Sequence, residues 1–172
     1  MYGDLLRAAG ATERLMELLA AQSPVADPAA PLALPHRPAG AAVVFSQVGF
    51  HYPSRPTLPA LQGFSLQVAP GETVAIVGPS GAGKSTVFQL LLRFFDPDSG
   101  RILLDGVDLR AMNRDAFRKN FALVPQDSVI FAGSARDNIR FGRPEATDAE
   151  VEAAAQSAAA HEFIMALPQG YD

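Results

Sequence analysis

Apolar and polar positions change rhythm several times along the 172 residues. In residues 2–21, Leu5, Leu6, Leu15, Leu18 and Leu19 recur near helical spacing around Gly10, which predicts two short amphipathic helices. The rhythm stops in "SPVADPAAPLALPHRPAG", residues 23–40, where prolines at 24, 28, 31, 35 and 38 can donate to neither a helix nor a sheet ladder. A semi-rigid, extended linker is predicted. The helices ahead of it are expected to belong to something other than the main domain, because so small a pair is marginal alone.

From Val43 the character turns to β. "VVFSQVGFHY" is rich in Val and Phe, and "FSLQV" (64–68) alternates with period two, so both predict antiparallel strands. After a turn at Pro70 and Gly71, "TVAIVG" (73–78) is an unbroken apolar run, the pattern of a central parallel strand covered on both faces. "KSTVFQLLLRFF" lacks Gly and Pro and predicts a helix over 84–95, with Phe88, Leu91, Leu92 and Phe95 in the core. "GRILLDGVDL" (100–109) predicts a hairpin about Asp105-Gly106. "NRDAFRKN" predicts a short helix and "FALVPQ" (121–126) a buried strand. Thr147 and Glu150 form a capping box ahead of an Ala-rich helix expected to run to Pro168.

Composition narrows the function classes. A chain 48% hydrophobic is enough for one compact domain plus appendages. A net charge of -4 with dispersed arginines argues against a nucleic-acid partner, whose phosphates require concentrated Lys and Arg. Without cysteine there is no disulfide scaffold and no thiolate metal site. No apolar run reaches the roughly 18 residues of a membrane span. The N-terminus is interrupted by Asp4, Arg7, Glu13 and Arg14 and does not read as a signal peptide. His36, His51 and His161 stand in unlike contexts, and none is expected to be catalytic.

The chemistry concentrates in "GPSGAGKST", comprising Gly78, Pro79, Ser80, Gly81, Ala82, Gly83, Lys84, Ser85 and Thr86. Gly78, Gly83, Lys84 and Ser85 satisfy G-x-x-x-x-G-K-[ST], and the loop lies between a predicted strand and a predicted helix as phosphate binding requires. Glycines at 78, 81 and 83 let successive N–H groups converge where a Cβ would obstruct an anion. The helix that follows adds about half a positive charge at its N-terminus, and Lys84 adds a full charge near the β- and γ-phosphates. Ser85 offers a hydroxyl to Mg²⁺, and Thr86 can add a hydroxyl contact to an α-phosphate. The plainer alternative is a glycine turn with a surface lysine.

With these flanks, the stretch from "VVFSQVGFHYPSRP" to "SARDNIRFG" resembles the first half of an ABC-transporter ATP-binding domain, of the exporter type with a membrane domain ahead of the ATPase. The resemblance covers about residues 43–172. It implies an α/β fold: a P-loop NTPase core of ABC type with an antiparallel β-subdomain, truncated, preceded by a short helical segment and a Pro-rich linker. It implies ATP and Mg²⁺ as ligands. Tyr52 in "FHYP" matches the family position whose ring stacks on adenine, a contact worth roughly 1–3 kcal/mol. Gln126 in "LVPQD" matches the Q-loop glutamine, which can reach Mg²⁺ and the γ-phosphate side while its loop contacts the membrane domain. Val129, Ile130 and Phe131 are then either a contact for that domain or part of the chain's own core.

The resemblance also assigns the ends. Residues 1–22 would be the end of a membrane-domain helix and a connecting helix, 23–40 the tether, and 41–172 a partial ATP-binding domain. Met1 is then expected not to be the natural start. The family's apolar strand ending in Asp-Glu, its Leu-Ser-Gly-Gly-Gln signature and its switch histidine do not occur in residues 1–172. The implied function is ATP binding and hydrolysis coupled to export, with these residues alone expected to be inactive. The implied partners are the membrane domain of the same polypeptide and a second ATP-binding domain, in a homodimer or heterodimer. The implied location is the cell membrane, with this segment on the cytoplasmic face. The alternatives are a soluble P-loop small-molecule kinase and a non-hydrolysing nucleotide-binding module.

Overall fold

The computed structural model describes residues 12–13, 15–17, 19–20, 23–33, 40–127 and 129–172. They divide into two compact units, Met1–Ala122 and Leu123–Asp172. The first predicted helix, with Leu5, Leu6 and Gly10, and the linker residues 34–39 lie outside the described residues; those described among 12–20 are helical.

The first unit is built on an antiparallel sheet of order β2-β1-β3-β4, with β1 Val43–His51, β2 Pro59–Val68, β3 Ser99–Leu104 and β4 Val107–Asp108. Val43 pairs with Val68 and Phe45 with Leu66 on one side of β1, and Val43 with Leu104 and Phe45 with Ile102 on the other. The β1 and β2 pair and the Asp105-Gly106 hairpin match the sequence pattern. The alternation of β1 is not strict, because the register shifts between Phe45 and Val48 and Gln47 takes φ 49°. One inserted residue returns Val48 and Phe50 to the face that Phe45 covers, and all three are buried.

Helix α1, Lys84–Leu91, lays Val87 and Leu90 on this face, and Leu109, Met112 and Phe117 complete the core. Each such side chain contributes roughly 1.5–3 kcal/mol of burial. Phe117 comes from α2, Arg114–Arg118, whose N-cap Asn113 accepts from the Ala116 amide. Leu91 and Phe95 pack on the core as expected, whereas Phe88 is 47% exposed and is not core.

Helix α1 stops short of the predicted residue 95 because Arg93 adopts φ 53°. That conformation carries its guanidinium inward, where it donates to Asp96 Oδ1 at 2.9 Å, Met112 O at 3.1 Å and Ala26 O at 2.8 Å. Linker residues 23–33 accordingly lie along this unit. Val25 is buried, Leu32 bridges to Met112 in parallel, and Asp27 accepts from Arg114 Nε at 2.9 Å.

Two predicted strands do not form. Residues 73–78 and 121–126 pair with no strand, with Val77 86% and Val124 90% exposed. A parallel strand is held by ladders to its neighbours, and among the described residues the sheet is the antiparallel one alone.

In the second unit, α3 Ala135–Arg140 starts at a Ser134–Asp137 capping box and α4 Asp148–Ser157 at the expected Thr147–Glu150 box. The Ala-rich helix does not reach Pro168. Ala159 takes φ 55° and the chain turns into α5, His161–Met165, which brings Ile164 and Tyr171 over Val151 and Ala155. Val129, Ile130 and Phe131 are exposed, and Phe131 stacks on Phe141 with centroids 4.6 Å apart. Their burial in a core is therefore excluded among the described residues.

Candidate functional site

The glycine loop leads directly into α1, with Gly83 as N-cap at φ 83°. That left-handed conformation suits glycine, and the surroundings demand it independently: a Cβ on Gly83 would meet Ala60 O at 2.5 Å and Leu61 Cδ2 at 2.9 Å. The loop is thus seated against the backbone of β2. Gly81, at φ 82°, faces open space.

Val87 N donates to Gly83 O at 3.2 Å, so the amides of Lys84, Ser85 and Thr86 precede the first intrahelical bond. No side chain caps this end, and no acidic residue occupies the first turn. Unsatisfied amides, the helix dipole and the absence of a competing carboxylate together make an anion site.

Lys84 folds across the loop and donates to Gly78 O at 2.9 Å and Pro79 O at 2.7 Å. Two of an ammonium's three N–H groups are taken by the loop itself, which fixes the charge over the concavity. Ser85 is exposed, with its hydroxyl at the helix start. A hard cation that prefers oxygen ligands and is already bridged to phosphate fits such a lone hydroxyl. Among the described residues, no group of three or more His, Cys, Asp or Glu could hold a metal by itself.

Tyr52 follows β1, where its carbonyl accepts from Arg55 N at 2.8 Å. Its ring packs edgewise against Phe50 and Phe95, at centroid distances of 5.0 and 5.5 Å. Its hydroxyl lies 2.9 Å from Thr86 Oγ1 and donates to Gln89 Oε1 at 2.9 Å. Thr86 is buried, and since the tyrosine proton goes to Gln89, the Thr86 hydroxyl is the donor to Tyr52. The structure therefore joins Tyr52 to the loop and its helix, two segments 34 residues apart.

Gln126 lies exposed in the second unit. His51 bonds Asp98 at 2.9 Å and His161 bonds Tyr171 at 2.9 Å; His36 is outside the described residues. Sequence reading passed over Gln89, although Thr86 and Gln89 share a helix face at i,i+3 spacing. It also passed over Arg93, whose burial only the docked linker makes apparent.

On the docked linker, the carboxyl of Asp27 titrates below its usual value. Burial acts to raise it, but hydrogen bonds from the Arg114 side chain and backbone, with the charges of Arg114 and Arg93, outweigh that effect. Asp108 is held down in the same way, burial being overcome by hydrogen bonds from Arg110 and its charge.

No helix among the described residues is long and apolar enough to cross a membrane. The chain's fold is similar to that of a bacterial Atm1-family ABC exporter solved with ATP bound, at TM-score 0.84 and 44% identity, over 99% of this chain and 30% of that one. Over 130 residues, 76% of this chain, it is 52% identical to ABC transporter B family member 3 of Dictyostelium discoideum, spanning 9% of that protein. Over 171 residues, 99% of this chain, it is 43% identical to a multidrug efflux ATP-binding/permease protein of Mycobacterium bovis, spanning 14% of that protein. The ABC transporter family profile matches residues 61–169. With the family profile matching residues 61–169 and the identity running through both units, the chain belongs to the ABC transporter family and carries the ATP-binding part of an exporter.

Proposed function

We propose that residues 1–172 supply one half of an ATP site in an exporter whose membrane domain lies on the same polypeptide. The backbone N–H groups of residues 78–86, Pro79 excepted, and the Lys84 ammonium grip the β- and γ-phosphates, and the Tyr52 ring stacks on adenine. Ser85 would hold Mg²⁺, which neutralises phosphate charge when bound, and Gln126 is by resemblance the Q-loop glutamine. The observation that carries this reading is the uncapped start of α1 beneath the Lys84 bridge, joined to Tyr52 through Thr86.

In the same reading, a second ATP-binding domain completes the site, and the segment faces the cytoplasm. The sequence of residues 1–172 contains no apolar run ending in Asp-Glu, the pair whose glutamate would polarise the attacking water. In-line transfer depends on positioned water and compensating charge, so these residues alone bind MgATP without turning it over. Calorimetry and steady-state phosphate release on the purified chain test both halves. Binding with no release is expected, whereas release that disappears on Lys84→Ala would overturn the second half.

A further inference from the structure

We propose that Gln89 is a positioning residue for nucleobase recognition, acting through the hydroxyl of Tyr52. This rests on the reading of Tyr52 as the adenine platform.

A stacking platform is effective only if its plane is set before the base arrives; otherwise binding must bear the entropy of ordering the ring. The phenolic oxygen lies on the axis about which a tyrosine ring turns, so its position alone cannot hold the plane. Hydrogen-bond direction can, because the hydroxyl proton and the accepting lone pair lie near the ring plane. Tyr52 has a partner for each: it donates to Gln89 Oε1 at 2.9 Å and lies 2.9 Å from Thr86 Oγ1, which donates in turn. Turning the ring would break both bonds together. Phe50 and Phe95 limit the remaining sway, at interplanar angles of 76° and 86°.

Thr86 and Gln89 are on the helix that begins at Lys84, so the phosphate grip and the base platform form one hydrogen-bonded piece. Gln89 is half-buried and holds no other hydrogen bond that competes for its carbonyl oxygen among the described residues. Its role is positioning, since it is the tyrosine and not Gln89 that meets the base.

The experiment compares wild type, Gln89→Leu, Gln89→Glu, Tyr52→Phe and Tyr52→Ala in the full chain, by calorimetric titration with MgATP and with magnesium tripolyphosphate. Tripolyphosphate has the grip's phosphates and no base, so its binding also reports whether each variant is folded. Gln89→Leu and Tyr52→Phe should each weaken MgATP by roughly three- to tenfold while leaving tripolyphosphate within about twofold. Gln89→Glu keeps an accepting oxygen and should restore the wild-type ratio of the two affinities. Tyr52→Ala should cost MgATP roughly tenfold or more. Equal weakening of both ligands by Gln89→Leu overturns the inference, as does unchanged MgATP affinity in Gln89→Leu and Tyr52→Phe when Tyr52→Ala binds poorly. Unchanged MgATP binding in Tyr52→Ala instead overturns the stacking reading itself.

Discussion

The guanidinium of Arg93, with its side chain only 3% exposed, lies 3.6 Å from the carboxylate of Asp27 on the linker. A buried cation needs its full set of partners, and this one takes them from three places: Asp96 beyond its own helix, the Met112 carbonyl and the linker. Arg93→Leu should lower unfolding stability by about 2–4 kcal/mol, since two carbonyls lose their donor while Asp96 and Asp27 remain open enough to rehydrate. Chemical denaturation of the full chain measures it. Asp27→Asn, which leaves Arg93 its Asp96 pair, should cost less.

Acid should loosen the same contact. The folded-state carboxyl of Asp27 titrates below its unfolded value, so its contribution is complete above about pH 5 and is lost as protonation sets in below about pH 4. Between about pH 5 and pH 2 the stability of wild type should therefore fall more steeply than that of Asp27→Asn. Parallel slopes in denaturation series at stepped pH would show that the linker carboxylate is not the group responsible.

Lys84→Ala separates binding from folding. The side chain's partners are two loop carbonyls near solvent, so stability should change by less than about 0.5 kcal/mol. Affinity for MgATP should drop roughly ten- to hundredfold, the range for losing charge-assisted bonds. Thermal denaturation and calorimetry on the same sample give the two numbers.

Gly83→Ala should do the reverse and damage the frame. It places a side chain at φ 83° and drives a Cβ toward Ala60 O, where only backbone could yield. We expect a loss of about 2–4 kcal/mol, combining left-handed strain with overpacking. A melting temperature equal to wild type would show that β2 and the loop are not in firm contact.

Much of this architecture is legible in the residues. The Val and Phe content announces β1 and period-two alternation β2, Asp105-Gly106 announces the hairpin, and the Thr147–Glu150 spacing announces the start of α4. These signals are local, so the sequence carries them in full. Residues 73–78 show why others fail: an apolar run records that a segment can be covered, not that the covering strands pair with it. The early end of α1 fails for a similar reason, because the φ of Arg93 is set by partners up to 67 residues away. In the site, the glycines and Lys84 are readable from spacing, and Tyr52 from resemblance. The bond from Tyr52 to Gln89 is not, since nothing in "FHYP" points to the second turn of a later helix.

The contact between Gly83 and the Ala60 carbonyl also bears on protein engineering. A nonapeptide "GPSGAGKST" transplanted into another scaffold would bring its amides and its lysine but leave behind the wall that curves them. The transferable unit is larger: β2 with its backbone oxygen, the loop, and α1 as far as the glutamine that steadies the tyrosine. Recipients should therefore be chosen for a strand already lying where the last glycine must rest.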